Sequence, residues 1–423
     1  MLMAQTAVDP RDTARKALDL VLAHKHSDLL PLFSPSGKAA YTAAVQARND
    51  AAIQSWGAVL SIGAPAVRAI GSSKIVSIPV NFADQIVIFQ TAVNEQGQLG
   101  LINLVADPWK HPPYAKLDSF KEREVIIGTE WKLPGTLSVP NGQGPFPGVV
   151  LVHDSGQGDR DESVFAVKVF KDLAEGLASR GVVVLRYEKR ITMYPQVMQG
   201  REYTAEAETI DDAVLAAAVL RAQPEVKPGR VFELGFGFGG YLMPRIAEAD
   251  GKLAGMAIVN GNERPLEDLA VDEAQDMGQT LAQTMDAKDP KLAAFKVQVA
   301  VIQESAAKIK RLTPADEDAS PLLAKLGPYW LDLKGYDPAG QAKLLGIPML
   351  ILQGERGFPV SMKDFAAWKT GLQGMKNVTM KSYPALDRVL ISGTGKAQEA
   401  EYRKPGQHVA PEVIDDLAKW LNQ

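Results

Sequence analysis

A chain of 423 residues is longer than one hydrophobic core usually organises, and 46% hydrophobic with 23% charged residues is a globular balance, so two domains are expected. A net charge of -4, with no run of Lys/Arg interleaved with aromatics, excludes a nucleic-acid footprint. With no cysteine there are no disulfides, thiolate metal sites or cysteine nucleophile, and no apolar stretch of roughly 18 residues offers a membrane span.

In chain order, Met1 to Ala7 lacks a basic n-region and a full apolar h-region. It reads as no intact signal peptide, which leaves periplasmic, secreted and cytoplasmic locations open. An amphipathic run from Arg11 to His24 and a second helical stretch from Gly37 to Ser55 come next. Alternating segments at Val67 to Ile70, Lys74 to Val80, Gln85 to Phe89 and Leu99 to Val105 then predict strands separated by polar turns. Residues 8–107 are thus a small α+β unit, and the three prolines between Ala106 and Pro113 open a linker at 108–121.

From 122 to 423 the pattern changes. Continuous apolar runs at Gly148 to Val152, Val182 to Leu185, Val231 to Leu234, Gly255 to Val259 and Pro348 to Leu352 read as strands buried on both faces. Helices are expected between them, at Val164 to Ala178, Ala205 to Ala222, Tyr241 to Ala249, Met362 to Leu372 and Pro411 to Leu421. This alternation predicts an α/β domain with a doubly wound, mostly parallel sheet. The mostly helical insertion at 265–333 is where such a sheet carries a cap over its strand ends. Met277 to Met285 read as part of the cap's core.

Val231 to Leu234 runs into Gly235-Phe236-Gly237-Phe238-Gly239-Gly240 and a helix, the strand, turn and helix context of a Gly-x-Ser-x-Gly nucleophile elbow. Gly237 stands at its centre. Together with His153-Asp154-Ser155-Gly156-Gln157-Gly158-Asp159-Arg160-Asp161-Glu162, Leu185 to Arg190, Thr209 to Ala213, Tyr329 to Leu333, Ile351 to Arg356 and Glu401 to Gly406, the chain resembles bacterial α/β-hydrolases of the serine aminopeptidase/esterase type. Those with an N-terminal DUF3887 domain, an NTF2-like module, are the nearest in pattern. The resemblance implies an α/β-hydrolase fold and three triad positions, which fall on Gly237, Gly357 and Arg388. It also places Asp154 where the family has a glycine beside the oxyanion hole, whose second N–H would come from Phe238.

A Ser-His-Asp site works as a unit, so the expectation is a degenerate triad and a non-catalytic homologue that binds a small ester-, acyl- or peptide-like ligand, or a protein partner. The candidate binding residues under the cap are His153, Asp154, Ser155, Tyr187, Phe236, Phe238, Tyr329, Trp330 and His408. The alternative is an active carboxylesterase or peptidase working through another site, for which Ser155 with His408 or His153 is the first combination to test. Gly235-x-Gly237-x-x-Gly240 also fits a dinucleotide-binding fingerprint, weighed against a simple tight turn, and Asp159 to Glu162 with Lys189 and Arg190 reads as an ion-pair network tying a loop to a strand end. No cofactor or metal is implied, and the N-terminal unit is the candidate homodimer contact.

Overall fold

The computed structural model describes residues 9–423 except 71–72, 84–85, 108, 200–201, 287 and 320. The opening segment from Met1 to Ala7, Pro108 of the expected linker, and parts of the turns before Ser73 and Ile86 lie outside the described residues. The chain divides into two compact units, Met1–His111 and Pro112–Gln423.

In the first unit, helices Pro10–Leu22, His26–Leu29, Pro35–Ala40 and Ala43–Ser55 precede β1 (Val59–Ile62), β2 (Ala66–Ile70), β3 (Ser73–Phe82), β4 (Ile86–Val93) and β5 (Leu99–Ala106). The stretch expected as one helix from Gly37 to Ser55 is two, because Tyr41 leaves the helical conformation and the Thr42 hydroxyl accepts the Val45 N–H, opening a new helix. The antiparallel sheet turns Val76, Ile78, Val80 and Phe82 of β3 inward, where they pack with Ala14, Ala17, Leu18 and Val21 of the first helix.

The second unit holds β6 (Phe120–Ile127), β7 (Leu133–Pro140), β8 (Phe146–Val152), a short hairpin of β9 (Ser163–Val164) and β10 (Val167–Lys168), β11 (Val183–Tyr187), β12 (Val226–Phe236), β13 (Gly255–Val259), β14 (Met349–Gly354) and β15 (Val378–Tyr383). Eight of these form one sheet in the order β15-β14-β13-β12-β8-β11-β7-β6, in which β7 alone runs against the others and pairs antiparallel with both β11 and β6. Helices cover both faces. Val150 and Val152 point to a core shared with helices Asp211–Arg221 and Phe238–Asp250, while Val149 and Leu151 point to one shared with Val169–Ala178 and Pro411–Leu421. Two covered faces explain why the central strands read as unbroken apolar runs.

The helix expected from Val164 starts at Val169, since the β9–β10 hairpin takes up Ser163 to Lys168. Between β13 and β14 the chain leaves the sheet for helices Leu266–Thr284 and Pro290–Ile309, then Gly327–Leu333 and Pro338–Leu345. The fold is the α/β-hydrolase fold with a helical cap. Among the described residues no helix is long and apolar enough to cross a membrane.

Candidate active site

Strand β12 ends at Phe236, and the helix from Phe238 begins one residue later, so the whole turn falls on Gly237, at φ 53 and ψ -117. A side chain in that left-handed region is strained, which glycine avoids. At Gly235 the constraint is contact: a Cβ there would lie 2.4 Å from the Gly239 carbonyl carbon, because strand and helix nearly touch. At Gly237 an added Cβ would lie 2.3 Å from Asp154 Cγ and 2.4 and 2.6 Å from its two oxygens. The Asp154 carboxylate therefore stands in the space where an elbow nucleophile would project.

Asp154 reaches this position from the neighbouring strand, two residues past the end of β8. Its Oδ1 accepts the Phe238 N–H at 2.8 Å and the Ser155 N–H at 2.7 Å, and its Oδ2 lies 3.8 Å from Arg388 Nη2. The backbone is fixed as well, since Lys189 Nζ donates to the Asp154 carbonyl at 2.5 Å. Above this carboxylate is a cavity of about 300 Å³. Asp154, Ser155, Phe236, Gly237, Phe238, Asn260, Asn262 and Arg388 line it from the sheet side, Leu266, Leu269, Ala270 and Glu273 from the first cap helix, and Leu323 with Phe358-Pro359-Val360 from two further segments. Asn260 holds the Arg388 loop: its Oδ1 accepts the Gly354 N–H at 2.8 Å and its Nδ2 donates to the Arg388 carbonyl at 2.8 Å.

Beneath the loop that carries Asp154 lies a buried charge network. Glu208 Oε1 accepts the Gly156 N–H and Lys189 Nζ, both at 2.9 Å, while Oε2 accepts Tyr203 Oη at 2.6 Å, Lys325 Nζ at 2.9 Å and Tyr329 Oη at 2.9 Å. Arg160 pairs with Glu188 at 2.9 Å and Glu124 at 2.8 Å, Arg186 with Asp161 and Glu122, and Arg190 with Asp212. Of the expected network, Arg160 and Asp161 do tie the loop to the end of β11, through Glu188 and Arg186, whereas Lys189 and Arg190 pair with Glu208 and Asp212 instead of with the run after His153. Burial, then the neighbouring charge of Asp154, pushes the Glu162 carboxyl up to about 8, and its Oε2 has no hydrogen-bond partner. Burial and the charge of Lys189 push the His153 imidazole down to about 3.

Of the residues expected at the site, Asp154, Ser155, Phe236 and Phe238 line the cavity, as do Gly237 and Arg388. The others do not. Gly357 is set back, and its successors Phe358 to Val360 form the wall. His153 and Tyr187 are buried against each other below the floor, ring centroids 5.1 Å apart, and Tyr329 and Trp330 are fully buried in the core that Glu208 anchors. His408 Nδ1 sits 3.2 Å from Asp172 Oδ1 and is not part of the cavity wall, so the Ser155 and His408 combination is not assembled. Gly240 packs on Gly261, a Cβ on it falling 2.9 Å from Gly261 Cα, so the glycine pattern serves close packing in a tight turn. Nothing in the sequence pattern marks Glu208, Lys325 or Glu273 as site neighbours, since their surroundings are ordinary polar helix and loop.

Residues 133–310 match the model of the Dienelactone hydrolase family. Esterase EstD of Thermotoga maritima is 38% identical over 311 residues, 73% of this chain and 69% of that protein. Among solved structures, an esterase of Pyrococcus furiosus is 15% identical with a TM-score of 0.44, covering 74% of this chain and 98% of its own. Est1E from Butyrivibrio proteoclasticus is 14% identical with a TM-score of 0.44, covering 70% and 98%. The relation to Esterase EstD corrects the expectation of a non-catalytic homologue and favours the active hydrolase that stood as its alternative.

Proposed function

Because this chain belongs to the α/β-hydrolase family that includes Esterase EstD, we propose that it is a carboxylesterase-type hydrolase whose reactive group is the Asp154 carboxylate instead of an elbow serine. The triad positions Gly237, Gly357 and Arg388 offer no hydroxyl, carboxylate or imidazole, so a serine mechanism has no parts to run on. The observation that carries the proposal is the place of that carboxylate, in the nucleophile's space at the floor of a capped cavity.

In this reading Asp154 is the general base. It takes a proton from a water molecule as the water oxygen bonds to the ester carbonyl carbon. The Arg388 guanidinium, always charged and 3.8 Å from Asp154, offsets the negative charge that develops on the carbonyl oxygen. Collapse of the tetrahedral species breaks the bond to the leaving oxygen, and the proton on Asp154 passes to that oxygen. A volume of about 300 Å³ walled by Leu266, Leu269 and Ala270 suits a small ester with a short acyl chain. The N-terminal unit, helices ahead of an antiparallel sheet, supports the reading of an NTF2-like module of the DUF3887 type, and every residue given a role in the reaction lies in the second unit.

The test is hydrolysis of short p-nitrophenyl esters before and after treatment with a fluorophosphonate. The expected rate survives the reagent and falls by roughly 10²–10⁴ in Asp154→Asn, the usual worth of a general base. Complete inhibition by fluorophosphonate, or an Asp154→Asn protein as fast as the parent, would overturn the assignment.

A further inference from the structure

In the N-terminal unit, two imidazoles and a carboxylate converge. His24 Nδ1 lies 2.7 Å from Asp50 Oδ1, and His26 Nε2 lies 3.0 and 2.9 Å from Asp50 Oδ1 and Oδ2. One ligand-capable atom from each of the three residues falls within 4.8 Å of the others. A tetrahedral ion with bonds of 2.0–2.1 Å holds its ligand atoms about 3.3 Å apart, so each histidine needs to part from Asp50 by only a few tenths of an ångström, while the two imidazoles already lie within 4.8 Å of each other.

Two features set the cluster apart from an ordinary His–Asp ion pair. The first is orientation. His26 Nδ1 meets the Tyr41 hydroxyl at 3.1 Å, so with Nδ1–H donated there the Nε2 lone pair is left for a ligand bond, as in the supported imidazoles of metal sites. The second is backbone conformation. The helix Pro10–Leu22 closes with Lys25 N–H donating to the Leu20 carbonyl at 2.9 Å and His24 N–H to the Val21 carbonyl at 3.1 Å, the paired bonds of a Schellman turn. The residue at its left-handed position is normally glycine; here it is His24, at φ 56. A histidine held in that conformation aims its ring at Asp50, and strain of this kind gathers where a side chain has a task.

We propose that His24, His26 and Asp50 form a binding site for a divalent transition cation of the zinc class, with a fourth position left to water. Two imidazoles and one carboxylate suit zinc and its neighbours, whereas magnesium and calcium take all-oxygen sets. None of the three residues is among those lining the Asp154 cavity, and the proposal does not depend on the hydrolase reading. Sequence spacing hides it, since Asp50 stands 24 residues beyond His26.

The test uses the full chain, freed of metal with a chelator and titrated with Zn²⁺ by calorimetry, with the visible spectrum of bound Co²⁺ as a second readout. One saturable equivalent per chain is expected, with a raised thermal midpoint and a tetrahedral Co²⁺ spectrum. His26→Gln and Asp50→Asn should each weaken Zn²⁺ binding at least tenfold. His24→Gly guards against misfolding: glycine suits the turn, so the metal-free midpoint should hold or rise while Zn²⁺ affinity falls at least tenfold. No saturable equivalent, or equal affinity in the parent, His24→Gly and His26→Gln proteins, would show a structural ion pair and overturn the proposal.

Discussion

At the scale of single residues, the elbow shows how a missing side chain and a new one can be two halves of one exchange. Gly237 and Asp154 are 83 positions apart in the chain, and both stand out in the sequence, one as an elbow without a hydroxyl and the other as an acid in a glycine's place. Their complementarity does not, because it arises only when β8 and β12 pair side by side and bring the ends of both strands together. Gly237→Ser tests it. The new Cβ must occupy a left-handed conformation, costing about 1–3 kcal/mol, and must also push the Asp154 carboxylate off the Phe238 and Ser155 N–H groups. The variant should therefore unfold at lower urea concentration and hydrolyse p-nitrophenyl acetate more slowly than the parent. A Gly237→Ser protein that keeps full rate and stability would mean that the carboxylate is not held at the reacting centre.

At the scale of elements, legibility follows burial. Strands covered on both faces announce themselves, as in Val149-Val150-Leu151-Val152, whereas β6 reads Phe-Lys-Glu-Arg-Glu-Val-Ile-Ile and is hidden because it lies at the sheet edge and spends Glu122 and Glu124 on Arg186 and Arg160. The helix expected from Ala205 to Ala222 is present and unbroken, but it widens into a π-type turn over Glu206–Ile210 before continuing as Asp211–Arg221. Such turns recur at functional sites. This one carries Glu208, which binds the loop after β8, Lys189 beyond β11, and Lys325 and Tyr329 in the last part of the cap. Glu208→Gln keeps the shape and removes the charge, leaving two buried ammonium groups without their counterion. A loss of about 3–5 kcal/mol is expected from breaking a buried pair on one side. Equilibrium urea unfolding measures it, and a loss below about 1 kcal/mol would show that Lys189 and Lys325 are solvated or neutral in the folded protein.

At the scale of the whole molecule, the hydrolase unit buries two classes of carboxyl that set opposite limits on its stability with pH. Asp161 and Glu122 are held below their ordinary range, because the charges of Arg186 and nearby lysines outweigh the burial that would raise them. Their contribution is present above the unfolded values of about 3.9–4.3 and is lost as pH falls through their folded values. Glu162 and Glu233 are opposite in sign. Burial first, then neighbouring carboxylates, raises Glu162 to about 8 and Glu233 well above its ordinary value, and neither Glu233 oxygen has a hydrogen-bond partner. Each keeps its proton in the folded chain after the unfolded chain has released it, so between about pH 4.3 and 8 the folded state binds more protons and stability falls as pH rises. The thermal midpoint should accordingly be highest near pH 4–5 and decline toward pH 8, as the unfolding free energy falls by up to about 1.4 kcal/mol per pH unit for each group. Glu233→Leu removes one source. Glu233 lies on the face of β12 covered by helices Asp211–Arg221 and Phe238–Asp250, where an apolar side chain leaves no orphaned oxygen. The variant should be more stable than the parent at pH 8, by about 1–3 kcal/mol, and its midpoint should decline less steeply with pH. A parent midpoint that stays level from pH 5 to 8, or a Glu233→Leu protein less stable at pH 8, would show that Glu233 is ionised and paired in solution.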